Sequence, residues 1–182
     1  MQSLEFLLQR QSNGFLSQPA PNSAELKIIL KAATTVPDHA GLNPYRFHVI
    51  QNEGLDKLTK LFVASVKENT DDELKIAKAE KMAYRAPMII VVSSKYQSHP
   101  KVPQYEQLIT AGCAAYAMQL AANSLDYGVM WRTGDLALSH TVKQGLDIEV
   151  NDDIIGFLYI GTISKELPVK KRKDPELFTV KI

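Results

Sequence analysis

The chain has 182 residues, of which 45% are hydrophobic, and 21 basic residues against 20 acidic ones leave a net charge of +1. That length and apolar content fit one domain with a continuous core, and the near-neutral charge argues against general attraction to nucleic acid or to a membrane surface. The single cysteine, Cys113, excludes an intrachain disulfide and a cysteine-rich zinc site.

The first turns carry Leu4, Leu7 and Leu8 at helical spacing, so a short helix is expected up to Arg10. Residues 13–22 read as loop, broken by Gly14, Pro19 and Pro21. Ser23 is the expected cap of a second helix, with Glu25 in its first turn and Pro37 as its stop. Arg46–Ile50 reads as a strand. Leu55, Leu58, Leu61 and Phe62 mark a third helix, and Asp71 and Asp72 begin a fourth. The run Met88–Val92 has the β-branched content of a buried strand.

The longest helix is expected from Gln104 to about Tyr127. One side carries Tyr105, Leu108, Ile109, Gly112, Cys113, Tyr116 and Leu120; the other carries Ala114, Ala117, Met118 and Ala121. Apolar nearly all round, it should be central and buried, with Cys113 as inert core and a subunit partner helping to cover it. Val129–Arg132 and Ile154–Ile163 read as strands and Ser139–Leu146 as a short helix. The tail, 168–182, has a basic cluster, Lys170 to Lys173, followed by a β-like end, LFTVKI. Helices and strands mix without strict alternation, which gives an α+β fold with a sheet flanked by helices.

The glycine-rich phosphate loops and the serine nucleophile elbow are absent from the sequence. His39, His48, His99 and His140 do not pair at metal-ligand spacing, so no metal site is expected. An enzyme built this way would leave the hard chemistry to a bound organic cofactor. Phe6–Leu8 is too short for a signal-peptide core. No stretch approaches the ~20 apolar residues of a membrane span. The expectation is a cytoplasmic protein.

Six segments then stand out in order: LLQRQS, VPDHAGLNPYRFHVI, RAPMIIVV, EQLITAGCAAYAMQLAA, GVMWRTG and DDIIGFLYIGT. Together they resemble the nitroreductase family, in its short bacterial form, over nearly the whole chain. The resemblance implies a central, mostly antiparallel sheet and a homodimer whose interface is built on the long helix. FMN is implied at that interface, with the tail 168–182 reaching across the dimer. It places Arg10, Gln11 and Ser12 at the flavin phosphate and ribityl chain, where a guanidinium fork and a hydroxyl match phosphate oxygens. His39 would meet the ring from across the dimer, in the loop that also holds Asn43. Trp131, Arg132 and Thr133 would lie beside the ring, with Arg132 adding positive charge.

Two positions depart from the pattern. Gln11 and Thr35 stand where relatives often carry arginine; Lys171 or Arg172 could compensate, the other reading of that cluster being a solvated, mobile tail. The activity implied is transfer of two electrons from NADH or NADPH, through FMN N5, to a small nitroaromatic or quinone acceptor. No protein side chain would be a catalytic nucleophile or acid. Two further readings share the fold: another flavin reaction, and a flavin-binding or flavin-sensing protein without turnover.

Overall fold

The computed structural model describes residues 3–182. In chain order its elements are α1 (Ser3–Gln9), β1 (Leu16–Ser17), α2 (Ser23–Ala33), β2 (Tyr45–Gln51), α3 (Glu53–Lys67), α4 (Glu73–Glu80), β3 (Met88–Ser94), α5 (Gln104–Ser124), β4 (Tyr127–Arg132), α6 (Asp135–Leu138), α7 (His140–Gly145) and β5 (Ile154–Ile163). Short 3-10 turns lie at His39–Gly41, Ala83–Arg85 and Pro175–Phe178. The α+β class holds, and every strand pairing is antiparallel.

β5 organises the sheet. Leu158 pairs with Ile90 of β3 on one side and Trp131 of β4 on the other. β2 then pairs with β3, and two-residue β1 pairs with the end of β5, opposite β4. Side chains alternate between the two faces. On one face Ile89, Val91, Phe157 and Tyr159 pack with Leu55, Leu58 and Phe62 of α3. On the other, Met88, Ile90, Val92, Leu158 and Ile160 pack with Ile29 and Ala33 of α2 and with Ala111, Ala114, Ala115 and Met118 of α5.

Several local expectations are corrected. Asn22, not Ser23, caps α2: its side chain accepts from the N–H groups of Ala24 and Glu25, while Glu25 accepts from the Asn22 N–H at 2.8 Å. This reciprocal capping box satisfies more free N–H groups than a serine one residue later would. β1 falls in the expected loop, and α6 was not foreseen. Pro175–Phe178 forms a 3-10 turn and Thr179–Ile182 pairs with no strand, so the β-like end is not a strand among the described residues.

The long helix is not buried all round. Its small residues Ala111, Ala114, Ala115 and Ala122 are inside, which lets it lie close against the sheet. The large apolar stripe faces out: Tyr105, Leu108, Ile109 and Tyr116 are all exposed. Cys113 lies on the same outer half and is half-buried, not core.

Candidate functional site

The segment after α1 is held by one buried residue. The Asn13 N–H donates to the Val129 carbonyl at 3.0 Å, docking residues 10–14 beside β4. The Asn13 side chain accepts from the Phe15 N–H at 2.9 Å and donates to the Lys165 carbonyl at 2.9 Å. Asn13 is only 5% exposed, so these bonds form away from competing water. They fix where Arg10, Gln11 and Ser12 stand. Nη1 of Arg10 is buried with no hydrogen-bond partner among the described residues. Ser12 is half-buried.

Gln11 turns away from the role expected of it. Its amide donates to the Leu167 carbonyl at 3.1 Å and accepts from the Lys170 N–H at 3.2 Å. The start of the tail is therefore fastened to its own chain. Arg172 then donates to the Arg10 carbonyl at 2.5 Å, which sets a tail guanidinium against the backbone of the 10–14 segment.

β4 presents the next group. Nε1 of Trp131 donates to the Ile155 carbonyl at 3.2 Å, and the ring packs on the core under α5. Trp131 is thus a wall with its N–H already used. Gly156 permits this: a Cβ there would lie 2.1 Å from that nitrogen. Arg132 points to the opposite face, with its guanidinium 5.4 Å from the ring centre of Tyr159. Its Nε is buried and has no partner among the described residues. A Cβ at Gly14 would lie 3.4 Å from Arg132 Nη2, so the docked segment and the β4 cation are neighbours. Thr133 is exposed, and Gly134 takes a positive φ of 91° to start α6.

A cleft of about 430 Å3 opens here, with Trp131, Arg132 and Thr133 along one wall and Phe62, Lys78, Met82 and Arg85 along the other. Tyr159 is at its base, and burial pushes its hydroxyl up to about 12 although Arg132 and Arg85 pull it down. At Thr133 and Gly134 this cleft meets a larger one of about 840 Å3 between α3, α4 and α6.

His39 lies apart from these groups. Its Nδ1 pairs with the Glu106 carboxylate at 2.7 Å, and the ring is largely exposed. Asp38 folds the loop by accepting from the Leu42 and Asn43 N–H groups at 3.1 and 2.7 Å. Ala40, Gly41 and Asn43 all have positive φ, and Asn43 donates to the Gly41 carbonyl at 2.9 Å. The loop is a preformed platform. The Thr35 hydroxyl is spent on the Ala32 carbonyl at 2.8 Å.

The structure therefore gathers Arg10, Ser12, Arg132 and Thr133 on one side of the molecule and leaves His39 outside that group within a single chain. Sequence reasoning missed Asn13, Lys78, Tyr159 and Glu106, whose roles depend on partners far along the chain. Arg85 opens the segment RAPMIIVV but gives no signal of its own. Among the described residues no cluster of histidine, cysteine and carboxylate could hold a metal ion. No helix there is long and apolar enough to cross a membrane.

An antiparallel sheet covered on both faces, with an N-terminal segment carrying Arg10 docked beside its edge strand β4, defines a class of fold that comparison identifies. Residues 8–162 match the model of the nitroreductase family, and the chain belongs to that family. It is similar to "Putative NAD(P)H nitroreductase YdjA" of Escherichia coli, 39% identical over 162 residues that cover 89% of this chain and 88% of the relative. A Haemophilus influenzae protein, "Putative NAD(P)H nitroreductase", is 40% identical over 163 residues, 89% of each chain. The fold also matches a nitroreductase-like protein from Bacillus cereus, with a TM-score of 0.86 and 22% identity over 98% of this chain and 95% of that one. A nitroreductase with bound FMN from Bacteroides fragilis matches with a TM-score of 0.75 and 20% identity over 100% and 99%.

Proposed function

We propose that the protein is an FMN-dependent NAD(P)H oxidoreductase of the nitroreductase type. One observation carries the proposal. Two guanidinium groups, Arg10 within the docked 10–14 segment and Arg132 beside Gly14 of it, each bury a nitrogen with no partner among the described residues. A buried unpaired donor is costly, and an anionic, hydrogen-bonding ligand relieves that cost. Arg10, Ser12 and the neighbouring Arg172 suit a phosphate, with Gln11 acting through the tail and not on the phosphate itself. The backbone of Trp131–Thr133 and the Arg132 cation suit the polar edge of the flavin ring.

When bound, FMN supplies transfer of two electrons from a reduced nicotinamide to a small nitroaromatic or quinone acceptor. The chain's part is to grip the phosphate, to hold Trp131 rigid beside the ring through the Ile155 carbonyl, and to keep positive charge near it. Such charge favours a reduced, anionic ring. The relatives' names and the flavin-bound structure on this fold support the reading.

We infer a cytoplasmic homodimer. The outward stripe of α5 is too apolar for a solvent face, and a second copy would bring His39 toward the other groups. The exposed Leu177, Phe178 and Val180 of the tail have the character of a segment lying across that partner.

The test is an absorbance spectrum of the purified protein before and after FMN addition and desalting. Flavin bands that survive desalting and bleach with NADPH, then return with menadione or nitrofurazone, are expected. Retained flavin without bleaching would indicate a flavin-binding protein with no turnover. No retained flavin would end the proposal.

A further inference from the structure

The loop after α2 is held more firmly than an exposed loop needs to be. None of residues 37–43 is buried, so apolar packing does not fix it. Ala40 and Asn43 have φ of 64° and 50°, a left-handed backbone that costs energy at a residue with a side chain. Two buried polar side chains of α5 brace the loop instead. The Thr110 hydroxyl donates to the Pro37 carbonyl at 3.2 Å. Gln107, only 1% exposed, accepts from the Gln97 N–H and donates to the Gln97 carbonyl, both at 2.9 Å. Gln97 in turn donates to the Leu42 carbonyl. Strain held in place by buried hydrogen bonds marks a loop whose shape is used.

The loop has two ionisable side chains. Asp38 is spent on the Leu42 and Asn43 N–H groups. His39 remains, and a third residue of α5 meets it: Nδ1 lies 2.7 Å from the Glu106 carboxylate. A carboxylate only accepts, so Nδ1 carries the hydrogen and donates. Nε2 is then the nitrogen left to meet a ligand, and it has no partner among the described residues. A pair as exposed as this adds little to stability. What it does fix is the tautomer and the direction of the ring. Glu106 also accepts from the Tyr105 hydroxyl at 3.3 Å, and Tyr105 and Ile109 beside it are 62% and 60% exposed. The pair therefore opens onto the outward stripe of α5, the face given above to a second copy.

We propose that Glu106 is a positioning residue. It locks His39 in the Nδ1–H form and aims Nε2 at the flavin held by the other copy, so that the braced loop of one subunit completes the site of its partner. The inference rests on the FMN function and the homodimer proposed above.

The experiment compares Glu106→Ala, Glu106→Gln and His39→Ala in the full chain, with FMN affinity followed by quenching of flavin fluorescence. Glu106→Ala should weaken FMN binding by about three- to tenfold, the worth of one hydrogen bond. Glu106→Gln keeps an acceptor oxygen and should return the affinity to within about twofold of the unaltered protein. In the His39→Ala background, Glu106→Ala should change the affinity by less than about twofold, because a residue that acts through another has nothing left to act on. The ring gives a reading that needs no flavin. Nitrogen NMR of the FMN-free protein, about two pH units above the ordinary imidazole value, should show the Nδ1–H form, with the Nε2–H form gaining in Glu106→Ala. An equal loss of affinity with and without His39, or a tautomer that Glu106→Ala leaves unchanged, overturns the proposal. Retained FMN whose affinity is indifferent to Glu106→Ala overturns this inference alone. A protein that retains no FMN overturns the proposed function, and the role of Glu106 falls with it.

Discussion

Lys170 and Gln11, 159 residues apart in sequence, are joined by a hydrogen bond from the Lys170 N–H to the Gln11 side-chain oxygen at 3.2 Å. The same amide donates to the Leu167 carbonyl, so it meets the tail backbone at two points. Gln11 is therefore a clasp on the tail, and two residues beyond Lys170 Arg172 meets the Arg10 carbonyl. Gln11→Ala removes both bonds and should free residues 167–173. Trypsin cleavage within Lys170–Lys173 should then be several-fold faster than in the unaltered protein, at equal overall stability. An unchanged cleavage rate would mean that the tail is held by other contacts.

Arg10→Ala tests the phosphate grip directly. The substitution removes a guanidinium whose Nη1 is buried and unpaired within the described chain. Loss of one charge-assisted contact costs roughly 1.5–3 kcal/mol. FMN affinity, followed by quenching of flavin fluorescence, should fall by about tenfold to over a hundredfold. Equal affinity in the two proteins would remove Arg10 from the site.

The contrast between Arg10 and Gln11 marks how far the sequence could be read. Strands such as Met88–Ser94 and Ile154–Ile163 were legible because β-branched runs and their length suffice to define them. Arg10 and Arg132 were legible as cations within segments that resemble a family. The clasp of Gln11 was not, because its partners are backbone atoms more than 150 residues away. The orientation of α5 was also hidden. An apolar stripe and a small-residue stripe look alike to periodicity, and close packing against the sheet chose the alanines. Lys78 and Arg85 lie on α4 and in the turn that follows it, and only the fold shows that they face Arg132 across one cleft.

That orientation of α5 decides how to test the dimer. Ala114 is fully buried within its own chain, so a charge there would disrupt the fold itself. Ile109 is 60% exposed and sits on the outward stripe. Ile109→Asp should leave a folded chain that sediments as a monomer, whereas the unaltered protein should sediment as a dimer. FMN retention should fall with it, because His39 would lose its place opposite the other groups. A variant that stays dimeric would move the interface away from this stripe.

Gly156 and Trp131 offer a stability test with a built-in reporter. A Cβ at position 156 would lie 2.1 Å from Trp131 Nε1 and 2.9 Å from the Arg132 carbonyl oxygen. Gly156→Ala must therefore displace the indole from the Ile155 carbonyl. Overpacking of this kind costs typically ~1–3 kcal/mol, readable as a lower urea midpoint. Trp131 is the one tryptophan in the sequence, so its fluorescence maximum should shift as the N–H bond is lost. An unshifted maximum with unchanged stability would show that the sheet absorbs the methyl group at no cost.

His48 gives the pH dependence a sign. It lies on β2 opposite Val91, with Nε2 buried and without a partner among the described residues. Burial holds its imidazole below the ordinary histidine value, and Asp147 opposes that shift only in part. A depressed pKa in the folded state means that the unfolded chain takes up the proton first. Its contribution to stability is present above the unfolded value of about 6.5 and is lost as pH falls through that value toward the folded one. The urea midpoint should therefore decline between about pH 7.5 and pH 5.5, above the range where most carboxylates titrate. His48→Gln cannot take up a proton there, so its midpoint should be flatter over the same interval, whatever the cost of the substitution itself. Parallel slopes for the two proteins would assign the decline to other groups and leave His48 without a part in it.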